Sequence, residues 1–381
     1  FLTQYFGAKQ KEGMRQSVAF KVVASLSTCI FYFLATFVFT RPVLSLMVIG
    51  NSQADLILEE GQKYMYLMGF IGIQMMISSI LSSSYREIGR VRVILVITLI
   101  AAGSNAFLNW VLIYGHLGMP RLEVEGAAYA TIIAKTVEML LLIGYTIKER
   151  PEFISFSVFK RIDWALFGRI LKKGSLLIIS QMMWVLSESF TAAIYNGRGN
   201  AAVVSGMAAS FSIANLFFIS FDGITTATGV LIGKSLGRNE LADARKEKTW
   251  MLSAAVIFGC IMCLVGVVTV LLVPVVFGNL SIDAQNICRA MLLLMALFMP
   301  LWTYVNTQLA VCRAGGDTKV GFLVDGGTTA VMIPMLLILA FFTNASPVMM
   351  YFGVKALDVG KIIVATHEMK KERWVVNLSN G

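Results

Sequence analysis

The chain nearly repeats itself after about 230 residues, within a succession of apolar segments each long enough to cross a bilayer. Gly7 and Arg15 in QYFGAKQKEGMR align with Gly237 and Arg245 in KSLGRNELADAR at an offset of 230. Pro42 aligns with Pro274, and Arg86 and Gly89 in YREIGRVR align with Arg313 and Gly316 in CRAGGDTK. Three matches in order at a nearly constant offset imply two homologous halves. Ten candidate spans can be read, at roughly 15–40, 62–84, 91–114, 126–148, 174–197, 201–233, 249–274, 287–312, 319–342 and 346–366. Membrane-barrel strands would alternate at every second residue, and these runs do not.

The sequence therefore predicts an all-α polytopic membrane protein of two homologous six-helix lobes, with ten helices visible. Six is even, so both lobes share one topology and are related by a pseudo-two-fold axis along the membrane normal. Phe1 aligns with Leu231, so residues 174–230 have no counterpart in the first half. The repeat thus predicts that two helices precede Phe1 in the natural chain. The expected domains are an amino-terminal lobe, 1–149, and a carboxy-terminal lobe, 174–381. Between them, Phe159, Ile162, Leu166 and Ile170 recur at helical spacing, which predicts a cytoplasmic amphipathic linker helix over 150–173.

Composition decides what the net charge of +10 means. The chain is 57% hydrophobic and 14% charged, far too apolar for a soluble protein of 381 residues. Numbering the sides by helix parity places twenty-four of the 32 basic residues on one side. That is the positive-inside pattern of a multi-pass protein of the inner (cytoplasmic) membrane with both visible termini in the cytoplasm, and it excludes a nucleic-acid partner as the reason for the charge. The five cysteines fall within or at the ends of apolar spans and read as free thiols. Cys260 and Cys263 form a CxxC with no second pair, and His116 and His367 lie at helix ends, so no metal site is expected. GVLIGKS at Gly229–Ser235 is one residue short of a nucleotide-binding loop and follows a membrane helix rather than a strand.

Several landmarks resemble those of multidrug and toxin extrusion (MATE) transporters of bacterial type. QYFGAKQ and LIGKSLGRNELADARK look like that family's second-to-third and eighth-to-ninth helix junctions. NAFLNWVLIYGHLGMPRLEVEGAAYATIIAKTVE resembles its fifth-to-sixth connection, and RAGGDTKVGFLVD its tenth-to-eleventh turn. The resemblance runs from Gln4 to about Leu378. Major-facilitator proteins also have two six-helix halves, but residues 4–15 lack the Asp-Arg of their second-to-third loop. The resemblance implies a secondary antiporter that exports organic cations or amphipathic drugs in exchange for Na+ or H+ by alternating access. The coupling ion would be the only cofactor, the lipid bilayer the surroundings, and a monomer the working form. In one respect the chain departs from the pattern: many members carry Asn-x-x-x-Asp in the fifth helix, whereas this chain reads Asn105-Ala-Phe-Leu-Asn109. Coupling is therefore expected in the carboxy-terminal lobe.

An ionisable group near the bilayer centre costs about 2.5–3.5 kcal/mol and needs an explanation. Lys135 and Glu138, and Asp358 and Lys361, stand three apart on their helices, the spacing of structural ion pairs. Glu188 and Asp325 lack an opposite charge nearby in sequence, and Asp222 precedes Gly223 and a Thr pair. A carboxylate in apolar surroundings can exchange a proton or coordinate Na+, so these three are the ion-coupling candidates. Gln74, Asn105, Asn109, Gln181, Trp184, Trp302 and Tyr304 are the candidates for contacting substrate in a central cleft, since aromatic faces attract organic cations. A lipid-linked oligosaccharide flippase shares this architecture, but its pyrophosphate needs unpaired basic residues. Here Lys135 and Lys361 each have an acid three residues away. A non-transporting remnant is the remaining alternative. No nucleophile–base constellation indicates an enzyme.

Overall fold

The computed structural model describes residues 1–47, 54–198, 201–343 and 345–380, and among these the regular elements are helices. In chain order they are α1 (Leu2–Gly7), α2 (Lys11–Phe33), α3 (Thr40–Met47), α4 (Ala54–Gly69), α5 (Ile71–Glu87), α6 (Val91–Tyr114) and α7 (Glu123–Glu149). They continue with α8 (Trp164–Arg198), α9 (Ala201–Gly237), α10 (Leu241–Val276), α11 (Ile282–Ala314), α12 (Lys319–Phe342), α13 (Pro347–Ala356) and α14 (Asp358–Lys370). Eight described helices are long and apolar enough to cross a membrane, and the pair Gly61–Gly69 and Ile71–Glu87, bent by 45°, is apolar enough to do so when taken together.

The tenth expected span, 346–366, is not one helix. Ser346 caps α13 by accepting the Met349 N–H, and the helix ends at Leu357, where α14 begins with Asp358 in its first turn. The expected linker helix over 150–173 also differs. Arg150 takes a left-handed conformation (φ 46°) that closes α7, and Pro151 follows it. A five-residue 3₁₀ turn, Phe156–Lys160, then leads to Trp164, where α8 starts. Gln16 pins this stretch: its Nε2 donates to the Arg161 carbonyl at 2.7 Å and its Oε1 accepts the Asp163 N–H at 3.1 Å. The apolar side chains Phe153 and Val158 fold inward instead of forming a helical stripe.

The chain divides into two compact units, one of Gln10–Asp163 and one of Thr3–Lys9 with Trp164–Gly381. In the first, α6 packs on α7, and α5 packs on both α2 and α7. In the second, α9, α10 and α11 pack on one another, α8 packs on α12, and α14 packs on α11 and α12. Small residues allow the close crossings. A Cβ on Gly259 would lie 2.5 Å from Pro300 Cα, and one on Gly206 would lie 2.5 Å from the Ala284 carbonyl oxygen. Two apolar cores result. One gathers Ile232, Leu236, Leu309, Cys312, Val320 and Trp374. The other is rich in methionine, with Met207, Met291, Met295, Met332 and Met350 around Tyr195 and Tyr351.

The repeat is visible in the backbone. Lys9 (φ 57°) and Asn239 (φ 65°) are the equivalent left-handed residues before α2 and α10. Gly89 (φ 87°) and Gly316 (φ 75°) form the equivalent turns before α6 and α12. In those turns Arg90 N–H reaches the Tyr85 carbonyl, and Asp317 N–H reaches the Cys312 carbonyl, both at 2.9 Å. The prolines depart from this symmetry. Pro42 follows a π-helical turn, Leu34–Val38, at the end of α2, whereas α10 runs through Pro274 to Val276.

Within the second unit, α1 crosses the end of α9 reciprocally. A Cβ on Gly7 would stand 2.4 Å from the Lys234 carbonyl oxygen, and one on Gly237 would stand 2.0 Å from that of Gln4. Gln4 itself donates to the carbonyls of Ala314 at 2.7 Å and Val376 at 3.2 Å. α1 is thereby tied to the end of α11 and to the tail.

Candidate functional site

The sequence predicts charged residues in apolar helices, and the second unit gathers four of them. Lys355 on α13 places its Nζ 2.8 Å from Glu188 Oε1 on α8. Three residues further on, beyond the break at Leu357, Asp358 pairs with Lys361 at 3.1 Å. The break starts α14 at Asp358, and a helix amino terminus favours a negative charge in its first turn. Trp302 on α11 joins the two pairs. Its indole N–H donates to Asp358 Oδ2 at 2.8 Å, and its ring faces Lys355 Nζ at 5.8 Å. Tyr351 presents its ring to the same ammonium at 5.4 Å.

Aromatic packing holds this arrangement in place. Trp302 lies against Phe298 and Phe218 with ring centroids 5.7 and 5.9 Å apart, and Tyr351 lies against Tyr195 and Phe211 at 6.3 Å each. The Tyr195 hydroxyl is buried and has no hydrogen-bond partner among the described residues. The result is a charge-neutral quartet, two carboxylates and two ammoniums, walled by aromatic faces. It can hold a cation between a carboxylate and rings, the geometry in which cation–π attraction is strongest once water is excluded.

Glu188, with no opposite charge nearby in sequence, is not alone in the fold, because its partner stands 167 residues away on another helix. Nor is Asp325 alone. Its Oδ2 accepts a hydrogen bond from Ser180 at 2.6 Å, and the half-buried Arg313 lies close enough to attract it. Asp222 is exposed on α9 with no ion pair or hydrogen bond among the described residues. The three coupling candidates thus have three different surroundings, and only Glu188 lies in the quartet. Lys355 is absent from the sequence candidates, although a lysine within MMYFGVKALDVGK carries the same signal as the residues that are among them.

The substrate-contact candidates are divided between the two units. Trp302 is central to the quartet, whereas Tyr304 packs against the other core of its unit. Gln181 and Trp184 are exposed on α8. Gln74, Asn105 and Asn109 belong to the first unit. There Gln74 donates to Thr136 at 3.2 Å and Asn109 to Asn105 at 3.1 Å, while Gln74 Oε1 and Asn109 Oδ1 are buried without partners among the described residues. Lys135 and Glu138 pair at 2.8 Å on α7. Among the described residues no group of three or more His, Cys, Asp or Glu is placed to hold a metal, and His116 stacks on Trp110 at 4.2 Å. The cysteines are free thiols.

The sequence profile of the family described as MatE matches residues 1–111 and 177–346. A protein named "Probable multidrug resistance protein NorM" from Mesorhizobium japonicum is 26% identical over 299 residues, covering 75% of this chain and 63% of that protein. The chain spans 49% and 56% of the length of two further curated relatives of the same name. Among solved structures, an aspartate-to-asparagine mutant of the Vibrio cholerae MATE transporter VcmN superposes with a TM-score of 0.79 at 16% identity, covering 98% of this chain and 84% of that one. The outward-facing conformation of a multidrug resistance MATE family transporter of the MOP superfamily gives 0.81 at 17% identity, over 96% and 79%. At such identities the likeness to the solved structures is one of fold.

Proposed function

Since the chain belongs to the MatE family, a family of helical membrane proteins, we propose that it is a secondary active antiporter that exports organic cations or amphipathic drugs. Export is driven by inward movement of Na+ or H+ and proceeds by alternating access in the cytoplasmic membrane. The positive-inside charge pattern supports termini that face the cytoplasm. The names of the relatives as multidrug resistance proteins support the substrate class.

The observation that carries the reading is the quartet of Glu188, Lys355, Asp358 and Lys361 around Trp302. A charge buried in an apolar bundle is costly and is retained where ions pass or bind. In this reading Glu188 and Asp325 are the coupling carboxylates. Cation binding there differs between two conformations of the protein and so shifts their populations. Both lysines of the quartet are paired with acids, which favours cationic over pyrophosphate-bearing substrates.

The test is efflux of a fluorescent lipophilic cation from energised vesicles containing the protein, with Na+ and pH gradients imposed separately. Export driven by one gradient supports the antiporter and names its ion. Absence of export under either gradient overturns it in favour of a lipid-linked oligosaccharide flippase or a non-transporting protein.

A further inference from the structure

A site for a free monovalent cation in apolar surroundings is assembled from a carboxylate, neutral oxygens and, where they can approach, aromatic faces. At Glu188 a carboxylate already holds a cation, and two aromatic faces surround that cation. Lys355 Nζ lies 2.8 Å from Glu188 Oε1, with the rings of Tyr351 at 5.4 Å and Trp302 at 5.8 Å. The Lys355 side chain is only 13% exposed and that of Glu188 30% exposed. Asp358 does not compete for this ammonium through a direct bond. One of its oxygens accepts from Trp302 at 2.8 Å and the other pairs with Lys361 at 3.1 Å. The buried Tyr195 hydroxyl, with no hydrogen-bond partner among the described residues, is a spare oxygen within electrostatic reach of both Glu188 and Lys355.

We propose that Lys355 is the resident cation of the Glu188 site, its ammonium holding the place that a free Na+ would take. Position and tethering favour the ammonium. An ammonium carried on its own side chain meets Glu188 at a fixed high local concentration, whereas Na+ must come from bulk water and shed its hydration. Two unit positive charges beside one carboxylate repel strongly where water is scarce. Na+ therefore enters only after the ammonium has withdrawn, and exchange at Glu188 is a contest between a tethered amine and an incoming cation. An organic cation that stacks on Trp302 and Tyr351 would win that contest more readily than Na+, because it gains the two ring faces the amine gives up. The inference depends on reading this unit as the ion-binding part of a transporter, but its test uses no transport.

The experiment is equilibrium binding of radiolabelled Na+ to the protein purified in detergent, comparing wild type with Lys355→Ala, Lys355→Arg, Glu188→Gln and the double variant Glu188→Gln/Lys355→Ala. Wild type and Lys355→Arg are expected to show no saturable site that depends on Glu188. Lys355→Ala should gain one, with affinity at least about a hundredfold above any wild-type binding, because a unit charge at contact distance has been removed. The double variant should lose it. Lys355→Met, which keeps the length of the stem, takes the place of the alanine variant if that variant does not elute as a folded protein. Saturable Na+ binding by wild type that Glu188→Gln abolishes overturns the proposal, and so does a folded Lys355 variant without Na+ binding. Loss of cation export in vesicles would overturn the transport reading while leaving this binding result readable.

Discussion

Arg15 and Arg245 stand 230 residues apart, and each ties the start of its helix to the segment leaving the last helix of its own unit. Arg15 Nε donates to the Glu152 carbonyl at 3.1 Å, and Arg245 grips the Glu372 carboxylate with Nε at 3.1 Å and Nη2 at 2.7 Å. The repeat preserves the arginine and its task while the acceptor changes from a backbone oxygen to a carboxylate. That change makes the second tie sensitive to pH.

The hydrogen bonds from Arg245 hold the Glu372 carboxyl below its ordinary value of 4.5. A group whose value is lowered on folding contributes stability that is fully present above its unfolded value and is lost as pH falls through the folded one. Glu372→Gln is therefore expected to lower the melting temperature slightly at neutral pH, with the gap to wild type closing below pH 4.5. The effect stays small because the pair is exposed. A gap that persists unchanged into acid would assign the difference to something other than this tie.

The reciprocal crossing of α1 and α9 predicts an asymmetry among glycines. Gly237→Ala forces a Cβ to within 2.0 Å of a backbone oxygen that no rotamer can move, so it should cost about 1–3 kcal/mol. A Cβ on Gly223, on the same helix, meets nothing within 4 Å, and Gly223→Ala should be neutral or stabilising by up to about 1 kcal/mol. Thermal unfolding of the two variants in detergent separates them, and equal losses would contradict the crossing.

Trp302 and Asp358 should prove strongly coupled. Asp358→Ala strands the Lys361 ammonium and the Trp302 N–H together, for a loss of about 3–5 kcal/mol. Trp302→Phe removes one charge-assisted hydrogen bond, worth about 1.5–3 kcal/mol. The double variant should lose less than the sum of the two. Strict additivity in denaturation would show that the hydrogen bond at 2.8 Å contributes nothing.

Glu188→Gln should reduce gradient-driven export of a cationic dye by at least about tenfold, as expected of a group whose ion binding biases two states. It also leaves Lys355 without its ion-pair partner, so the single variant should melt lower than Glu188→Gln/Lys355→Gln, in which both charges are gone. Export at the full rate in the single variant would remove Glu188 from the mechanism.

What the sequence makes legible is what the backbone repeats locally. The landmarks around Gly7 and Gly237, and around Gly89 and Gly316, give the halves because the same turns recur with the same conformations. Pairs three apart, such as Lys135 with Glu138 and Asp358 with Lys361, are within reach because a helix brings those positions together. Glu188 with Lys355 is not, because the 167 intervening residues fold through several helices before the two meet. The bend between Gly69 and Ile71 and the stop at Leu357 also escape hydropathy, which averages over a span and does not register a break inside it. The linker escapes for a different reason. The side chain of Gln16, more than a hundred residues away, fixes the backbone of Arg161 and Asp163 outside any helix.

With all four groups ionised, Glu188, Lys355, Asp358 and Lys361 sum to zero charge. A membrane potential does work only on net charge displaced across it. The resting quartet therefore offers the field nothing to pull on, however deep it lies. Voltage would be felt only when the Lys355 ammonium withdraws from Glu188 or a foreign cation arrives or departs.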